Sequence, residues 1–285
     1  MLLSARFILL ELLVCVMIIC AHRGKIAFLF MTRGPLPHAI LWENFFTNST
    51  AMDFQIFVHA PPGVVLDRST VASPLFYGRT LSYSFDVRWG ELSQVYGELA
   101  LYTEAFADID IDWFVLLSEH CIPVQSFSFV HQYLFSSNVS FIESYKTKVR
   151  YNKNFNKTLI PKNNWRKGAN WCVLKRRDVN IILSNTQIVQ EMTAVQSVSS
   201  TKIMNMDEHY KQIILDMKNV KVDRRSLTFF RWDRQKDKQH PVTFRINAPN
   251  HHKIVRGISE LMCTYESIKK ICFLFARKFI VRQKT

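Results

Sequence analysis

The sequence predicts an α/β fold with a mostly parallel central sheet, set behind an N-terminal hydrophobic anchor. Two observations carry this. Three short apolar runs, at residues 25–31, 54–59 and 113–118, have the length of buried strands. Between them lie two segments, 39–46 and 93–106, with apolar residues at helical spacing. Strand, helix, strand, helix, strand is the pattern of a parallel sheet covered on both faces.

Each element follows from its residues. The run at 25–31 (Lys-Ile-Ala-Phe-Leu-Phe-Met) stops at Thr32-Arg33-Gly34-Pro35. The first helix is expected to turn Ile40, Leu41, Trp42 and Phe45 inward. The run at 54–59 ends at Pro61-Pro62-Gly63, and the second helix sets Val95, Leu99, Tyr102 and Phe106 on one face. The run at 113–118 leads into Glu119-His120-Cys121-Ile122-Pro123. Ligands of such sheets gather outside the carboxyl ends of the strands, so the loops at 33–38, 59–62 and 119–123 should edge a site. The second half has shorter elements, a Lys/Asn-rich stretch at 146–164 and no repeat or linker, which predicts one globular domain over 23–285.

The chain of 285 residues is 48% apolar with 8 Gly and 9 Pro, which excludes collagen-like, low-complexity and disordered classes. Its net charge of +14 is unevenly spread. Residues 1–140 carry 7 Lys/Arg against 12 Asp/Glu, and residues 141–285 carry 30 against 11. The second half is therefore expected to meet an anion, unless its charge is only a solvated surface.

Residues 7–20 are apolar apart from Glu11, short of the ~20 that span a bilayer but extendable through Leu2 and Leu3. The context after Cys20 is poor for cleavage, which favours a signal anchor at 1–22 over a removed peptide. Arg23 and Lys25 after the run, against Arg6 before it, weakly favour a cytosolic body. Three Asn-x-Ser/Thr acceptors (Asn48, Asn138 and Asn156) and four later cysteines (Cys121, Cys172, Cys263 and Cys272) favour a lumenal one. The expectation is a single-pass type II protein with a lumenal body. Those cysteines would allow two disulfides, whose pairing the spacing leaves open.

No Gly-x-Gly-x-x-Gly or P-loop occurs, and no Cys/His spacing suits zinc. Asp108-Ile109-Asp110-Ile111-Asp112 contains Asp-x-Asp twice, but it precedes a strand where a metal-holding pair would follow one. It reads as a solvated loop, and no metal is expected. After the strand, Glu119 supplies one carboxylate and His120 one imidazole.

Taken together, several stretches make the chain resemble the plant branch of the core-2/I-branching β-1,6-N-acetylglucosaminyltransferase family. They are residues 25–37, 73–79, Trp89-Gly90-x-x-Ser93, 114–123, Trp165-Arg166-Lys167-Gly168-x-x-Trp171, Asp207-Glu208-His209-Tyr210, His240-Pro241-x-Thr243-Phe244 and 274–279. The resemblance implies a GT-A-like, Rossmann-type nucleotide-sugar-binding fold, Golgi localisation and inverting transfer without a metal. It implies no cofactor beyond a UDP-linked donor substrate, with a glycan or glycoprotein as acceptor. A helix is expected over 207–217, with Tyr210, Ile213, Ile214 and Met217 inward and Asp207 and Glu208 in its first turn. The resemblance makes Glu208 the base, ahead of His209. Glu119, Arg256 and Lys278 are assigned to the donor, the two cations replacing a metal at the diphosphate. Trp165, with Arg166 and Lys167, is assigned to the acceptor as an aromatic platform beside cations.

Against the family pattern, residues 194–206 lack an expected cysteine-proline pair, and the first strand follows the apolar run directly. These departures motivate a second reading, a non-catalytic membrane-anchored glycan-binding relative. A nucleic-acid partner is not expected, because the Lys/Arg residues are scattered and no nucleic-acid-binding motif accompanies them.

Overall fold

The computed structural model describes residues 24–198, 205–233, 235, 240–246 and 248–281, so the expected anchor at 1–22 lies outside the described residues. Among the described residues no helix is long and apolar enough to cross a membrane. In the first half the elements are β1 (Lys25–Met31), α1 (Ala39–Phe46), β2 (Phe54–His59), α2 (Ser93–Phe106), β3 (Ile111–Ser118), β4 (Ile122–Pro123) and α3 (Phe127–Phe135). The middle of the chain gives β5 (Tyr145–Lys146), β6 (Arg166–Lys167), β7 (Val173–Lys175), α4 (Arg176–Leu183), α5 (Thr186–Val198) and α6 (Tyr210–Met217). The last part adds β8 (Thr228–Phe229), β9 (Phe244–Arg245), α7 (His251–Ser259), β10 (Met262–Tyr265), β11 (Ile268–Ile271), β12 (Phe275–Ala276) and β13 (Phe279–Ile280).

The central sheet has the order β2-β1-β3-β7. β1 pairs in parallel with β2 and β3, and β7 closes the sheet antiparallel to β3. Both faces of β1 are covered, which is why its apolar run is unbroken. Ala27, Leu29 and Met31 point into a core shared with α2, α4 and α6. Ile26, Phe28 and Phe30 point into a second core with α1 and α3. Much of the phenylalanine load is spent there: Phe28 meets Phe46 edge-on at 4.9 Å, and Phe30 meets Trp42 edge-on at 5.0 Å. Each such buried ring is worth about 1.5–3 kcal/mol.

Two sequence expectations are corrected here. On α1 the inward residues are Trp42, Phe45 and Phe46, while Ile40 and Leu41 are 49% and 37% exposed. The aromatics at i, i+3 and i+4 outcompete the aliphatics because they fill the space over Phe28 and Phe30, and Trp42 also donates to the Cys121 carbonyl (3.2 Å). The expected helix over 207–217 divides. Met206–Glu208 form a 3₁₀ turn, His209 departs from helical geometry, and α6 begins at Tyr210. α6 is buried on all sides from Tyr210 to Leu215, Lys211 and Gln212 included, so one apolar face does not describe it. After Lys278 the chain continues as strand β13.

Small sheets tie the second half to the first. β12 lies between β4 and β8, and β13 pairs with β9. β10 and β11 form a hairpin fastened by a Cys263–Cys272 disulfide, while Cys121 and Cys172 are free and buried in separate cores. The acidic run lies at the amino end of β3, where Asp108 is ion-paired with Lys25 (2.7 Å) at the start of β1.

Candidate active site

The carboxyl ends of β1 and β3 are bound to each other. The Glu119 amide donates to the Met31 carbonyl (3.3 Å), so the loop after β3 sits on the end of β1. The next turn is fixed by Thr32, whose hydroxyl receives the Gly34 amide (3.0 Å). Arg33 thereby reaches Glu119, with Nε donating to Oε1 at 3.1 Å. His120 Nε2 lies 3.6 Å from the same oxygen. Burial, helped by Lys278, Arg33 and Arg277, pulls the His120 imidazole down to about 4 against the opposing pull of Glu119. It is therefore neutral at physiological pH.

A cationic segment is fastened above this loop. β12 and β13 anchor its two ends, leaving Arg277 and Lys278 between them. The Arg277 amide donates to the Phe229 carbonyl (2.7 Å), the Lys278 carbonyl accepts from the Phe244 amide (2.8 Å), and the Phe279 amide donates to the His120 carbonyl (3.0 Å). The Arg277 guanidinium lies 4.3 Å over the Trp171 ring, and its buried Nε has no hydrogen-bond partner. Both Glu119 and Asp207 act on Arg277 electrostatically, which joins this cluster to a second one.

That second cluster surrounds the turn at 206–208. Glu208 Oε2 is held by Arg150 Nη1 at 2.5 Å and Lys167 Nζ at 3.2 Å. Its backbone carbonyl accepts from the Gly168 amide (3.1 Å). Glycine is required at 168, because a Cβ there would sit 1.7 Å from the Glu143 carbonyl oxygen. Asp207 is buried; desolvation, together with Glu98 and Glu208, pushes its carboxyl up to about 7. Beneath it Lys211 and Glu98 form an ion pair with both side chains inaccessible. Lys211 also donates to Asn170 Oδ1 (2.6 Å) and the Asp207 carbonyl (3.3 Å), and Tyr210 donates to Glu98 (2.9 Å).

The residues singled out by sequence divide accordingly. Glu119 and Lys278 both act electrostatically on His120 at the strand ends, and Glu208 and Lys167 meet at the 206–208 turn. Trp165 is corrected: it is fully buried, stacked on His209 at 4.5 Å and donating Nε1 to the Val149 carbonyl (2.8 Å), so no sugar can reach its face. Arg166 is turned to Asp216 (2.7 Å), away from Glu208. His209 donates Nδ1 to the Arg166 carbonyl (2.6 Å) and its Nε2 is buried without a partner. Burial pulls its imidazole down to about 4, so it is no substitute base for an acceptor it cannot touch. Arg256 stands 80% exposed on α7, ion-paired with Glu260 at 2.7 Å. Asn48, Asn138 and Asn156 are all exposed, although the Ser140 hydroxyl of the second acceptor triplet is buried against Asp178.

Sequence reasoning did not assign Arg277 and Arg150 to the site. Arg277 adjoins Lys278 and could have been found by pairing cations within that motif. Arg150 lies 58 residues from Glu208, and no local pattern signals it. Two surface cavities, of about 740 and 430 Å³, lie away from these groups, and neither is lined by Glu119, Arg277 or Glu208.

This disposition of groups coincides with a sequence match over most of the chain. The Core-2/I-Branching enzyme family model matches residues 26–256. The chain belongs to the Core-2/I-branching enzyme family. It is also similar to "Glycosyltransferase BC10" of Oryza sativa subsp. japonica, with 33% identity over 295 residues, 90% of this chain and 74% of that protein. The family match spans β1 to α7, and so covers Glu119, Arg150, Lys167 and Glu208. Arg277 and Lys278 follow it.

Proposed function

We propose that this member of the Core-2/I-branching family is a GT-A-like, inverting glycosyltransferase. It moves a sugar, N-acetylglucosamine by family precedent, from a UDP-linked donor to a glycan hydroxyl. The observation that carries the reading is the Arg277–Lys278 segment, fastened over Glu119 at the carboxyl ends of β1 and β3 and linked electrostatically to the turn bearing Glu208.

The chemistry follows from these groups. The acceptor hydroxyl oxygen attacks the anomeric carbon while its proton passes to Glu208, and the bond from that carbon to the diphosphate oxygen breaks. Both cations on Glu208 bind Oε2, which fixes the carboxylate and leaves Oε1 to take the proton. The departing UDP gains negative charge, which Lys278 and the Arg277 guanidinium stabilise in place of a metal. The donor set supports this division: beneath those cations stands one carboxylate, Glu119, already held by Arg33. One carboxylate beside cations suits a phosphate better than a divalent ion.

A type II topology with a lumenal, Golgi-resident body remains part of the proposal, motivated by the N-terminal apolar run and the three exposed acceptor asparagines. The decisive experiment measures sugar transfer and donor hydrolysis by the purified chain and its Glu208→Gln variant, with and without EDTA. Turnover that survives EDTA and falls ~100- to 10,000-fold in the variant is expected. Glycan binding without turnover in the wild type would instead establish the non-catalytic reading.

A further inference from the structure

The acceptor side of the site carries a charge excess that catalysis does not use. Residues 141–170 contain eight Lys/Arg and one acid, Glu143. That acid is turned inward, its Oε2 accepting from the Ala169 amide at 2.6 Å. The other carboxylates bordering the stretch are also engaged. Glu208 is held by Arg150 and Lys167, Asp216 by Arg166, and Glu191 accepts from the Asn156 amide (2.6 Å). Five exposed lysines remain, Lys146, Lys148, Lys153, Lys157 and Lys162, and none forms an ion pair among the described residues. Lys148 and Lys153 flank in sequence Arg150, which holds Glu208, and the repulsion among such uncompensated cations is relieved by an anion.

An aromatic group stands at the same rim. Tyr145 is 46% exposed and lies directly opposite Lys167 in the antiparallel β5–β6 pair. Residues directly opposite across such a pair share a face, with Cβ atoms about 4.5–5.5 Å apart. Tyr145 therefore shares a face with Lys167, whose ammonium group holds Glu208. It is open where Trp165, twenty residues on in the sequence, is sealed in the core.

We propose that this rim binds an anionic acceptor glycan, one bearing carboxylated sugars such as uronates. Tyr145 stacks on a sugar ring, and the lysines hold the carboxylates on either side. The assignment rests on the reading of Glu208 as the acceptor-side base, and it adds the acceptor's chemical class. A glycan fits better than a nucleic acid, because a run of stacked bases would need a row of aromatics. Here Tyr145 and Val149 are the exposed large apolar residues of the stretch.

The test is binding of the full-length chain to an oligogalacturonate and to an uncharged galacto-oligosaccharide of equal length. Each is measured at low salt and at about 0.15 M, where exposed charges are screened beyond about 8 Å. The acidic sugar is expected to bind roughly tenfold more tightly at low salt, and this preference should shrink as salt rises. Tyr145→Ala should weaken both sugars, while Lys148→Glu combined with Lys153→Glu should abolish the preference and spare the neutral sugar. These residues are exposed, and circular dichroism checks that the variants fold. Equal affinity for the two sugars would overturn the proposal. So would acidic binding unmoved by either variant, or an oligonucleotide or acidic peptide of equal charge binding as well with the same dependence on Tyr145. Glu208→Gln separates the two readings. Its turnover judges the base, whereas oligogalacturonate binding, expected to persist in it, judges the rim.

Discussion

Asp207 offers the most direct physical test of the site, because burial has set its protonation against its usual preference. Its side chain lies under the surface with Oδ1 unpaired, near the carboxylates of Glu98 and Glu208. These surroundings raise its carboxyl from 3.8 to about 7. The folded state thus binds a proton between those values that the unfolded chain releases. Stability from this group is fully present below about pH 4 and is lost as pH rises toward 7. The rise from 3.8 to about 7, at 1.36 kcal/mol per pH unit, sets an upper size of about 4 kcal/mol.

The wild-type profile alone would hide this slope. His209 and His120 are both lowered to about 4, so they lose stability as pH falls from about 6.5, the opposite trend. Asp207→Asn removes one contribution and leaves the other two. Urea unfolding of the wild type and variant at pH 4.5, 6, 7 and 8 isolates it. The variant should match the wild type within about 1 kcal/mol at pH 4.5, since amide and protonated acid are alike in shape and charge. It should become the more stable by about 2–4 kcal/mol at pH 8. A stability difference that stays constant across this range would refute the placement of Asp207 in a desolvated, anion-flanked position.

Other outcomes follow from individual contacts. Arg277→Ala and Lys278→Ala should each weaken UDP binding by about tenfold or more in calorimetry, whereas Arg256→Ala, exposed and occupied by Glu260, should change it less than threefold. A larger loss at Arg256 would show that α7 closes on the donor. Lys211→Met should cost about 3–5 kcal/mol in urea unfolding because it strands Glu98, and Glu98→Leu combined with Lys211→Met should recover most of that loss. Gly168→Ala should lower both stability and turnover, since its Cβ must push β6 off Glu143; wild-type values for both would contradict the close approach.

The parts of the molecule legible in the sequence are those whose causes are local. β1, α1, β2 and α2 lie at the residues their patterns mark, because both faces of the sheet are buried and every position of β1 must be apolar. Local pattern failed where two distant segments compete for one space. Trp165 beside two cations reads as a sugar platform until Tyr151, Phe155 and His209 close around it, and those partners come from two separate stretches. Tyr145, in an unremarkable Ser-Tyr-Lys, becomes the exposed ring because the β5–β6 register sets it opposite Lys167.

Charge shows the same division. A sequence count finds the basic half, but it cannot tell a lysine spent on an internal acid from one left at the surface. Lys211 and Lys148 are indistinguishable in that count, yet one is sealed against Glu98 and the other faces solvent. Arg256 and Arg277 are likewise equal in a count of charge. Pairing separates them, because Glu260 lies one turn along the helix from Arg256, whereas Arg277 is held over Trp171 with a donor unsatisfied. A buried guanidinium with an unfilled hydrogen-bonding position is costly. Unsatisfied charge therefore separates these two arginines where a count of charge does not.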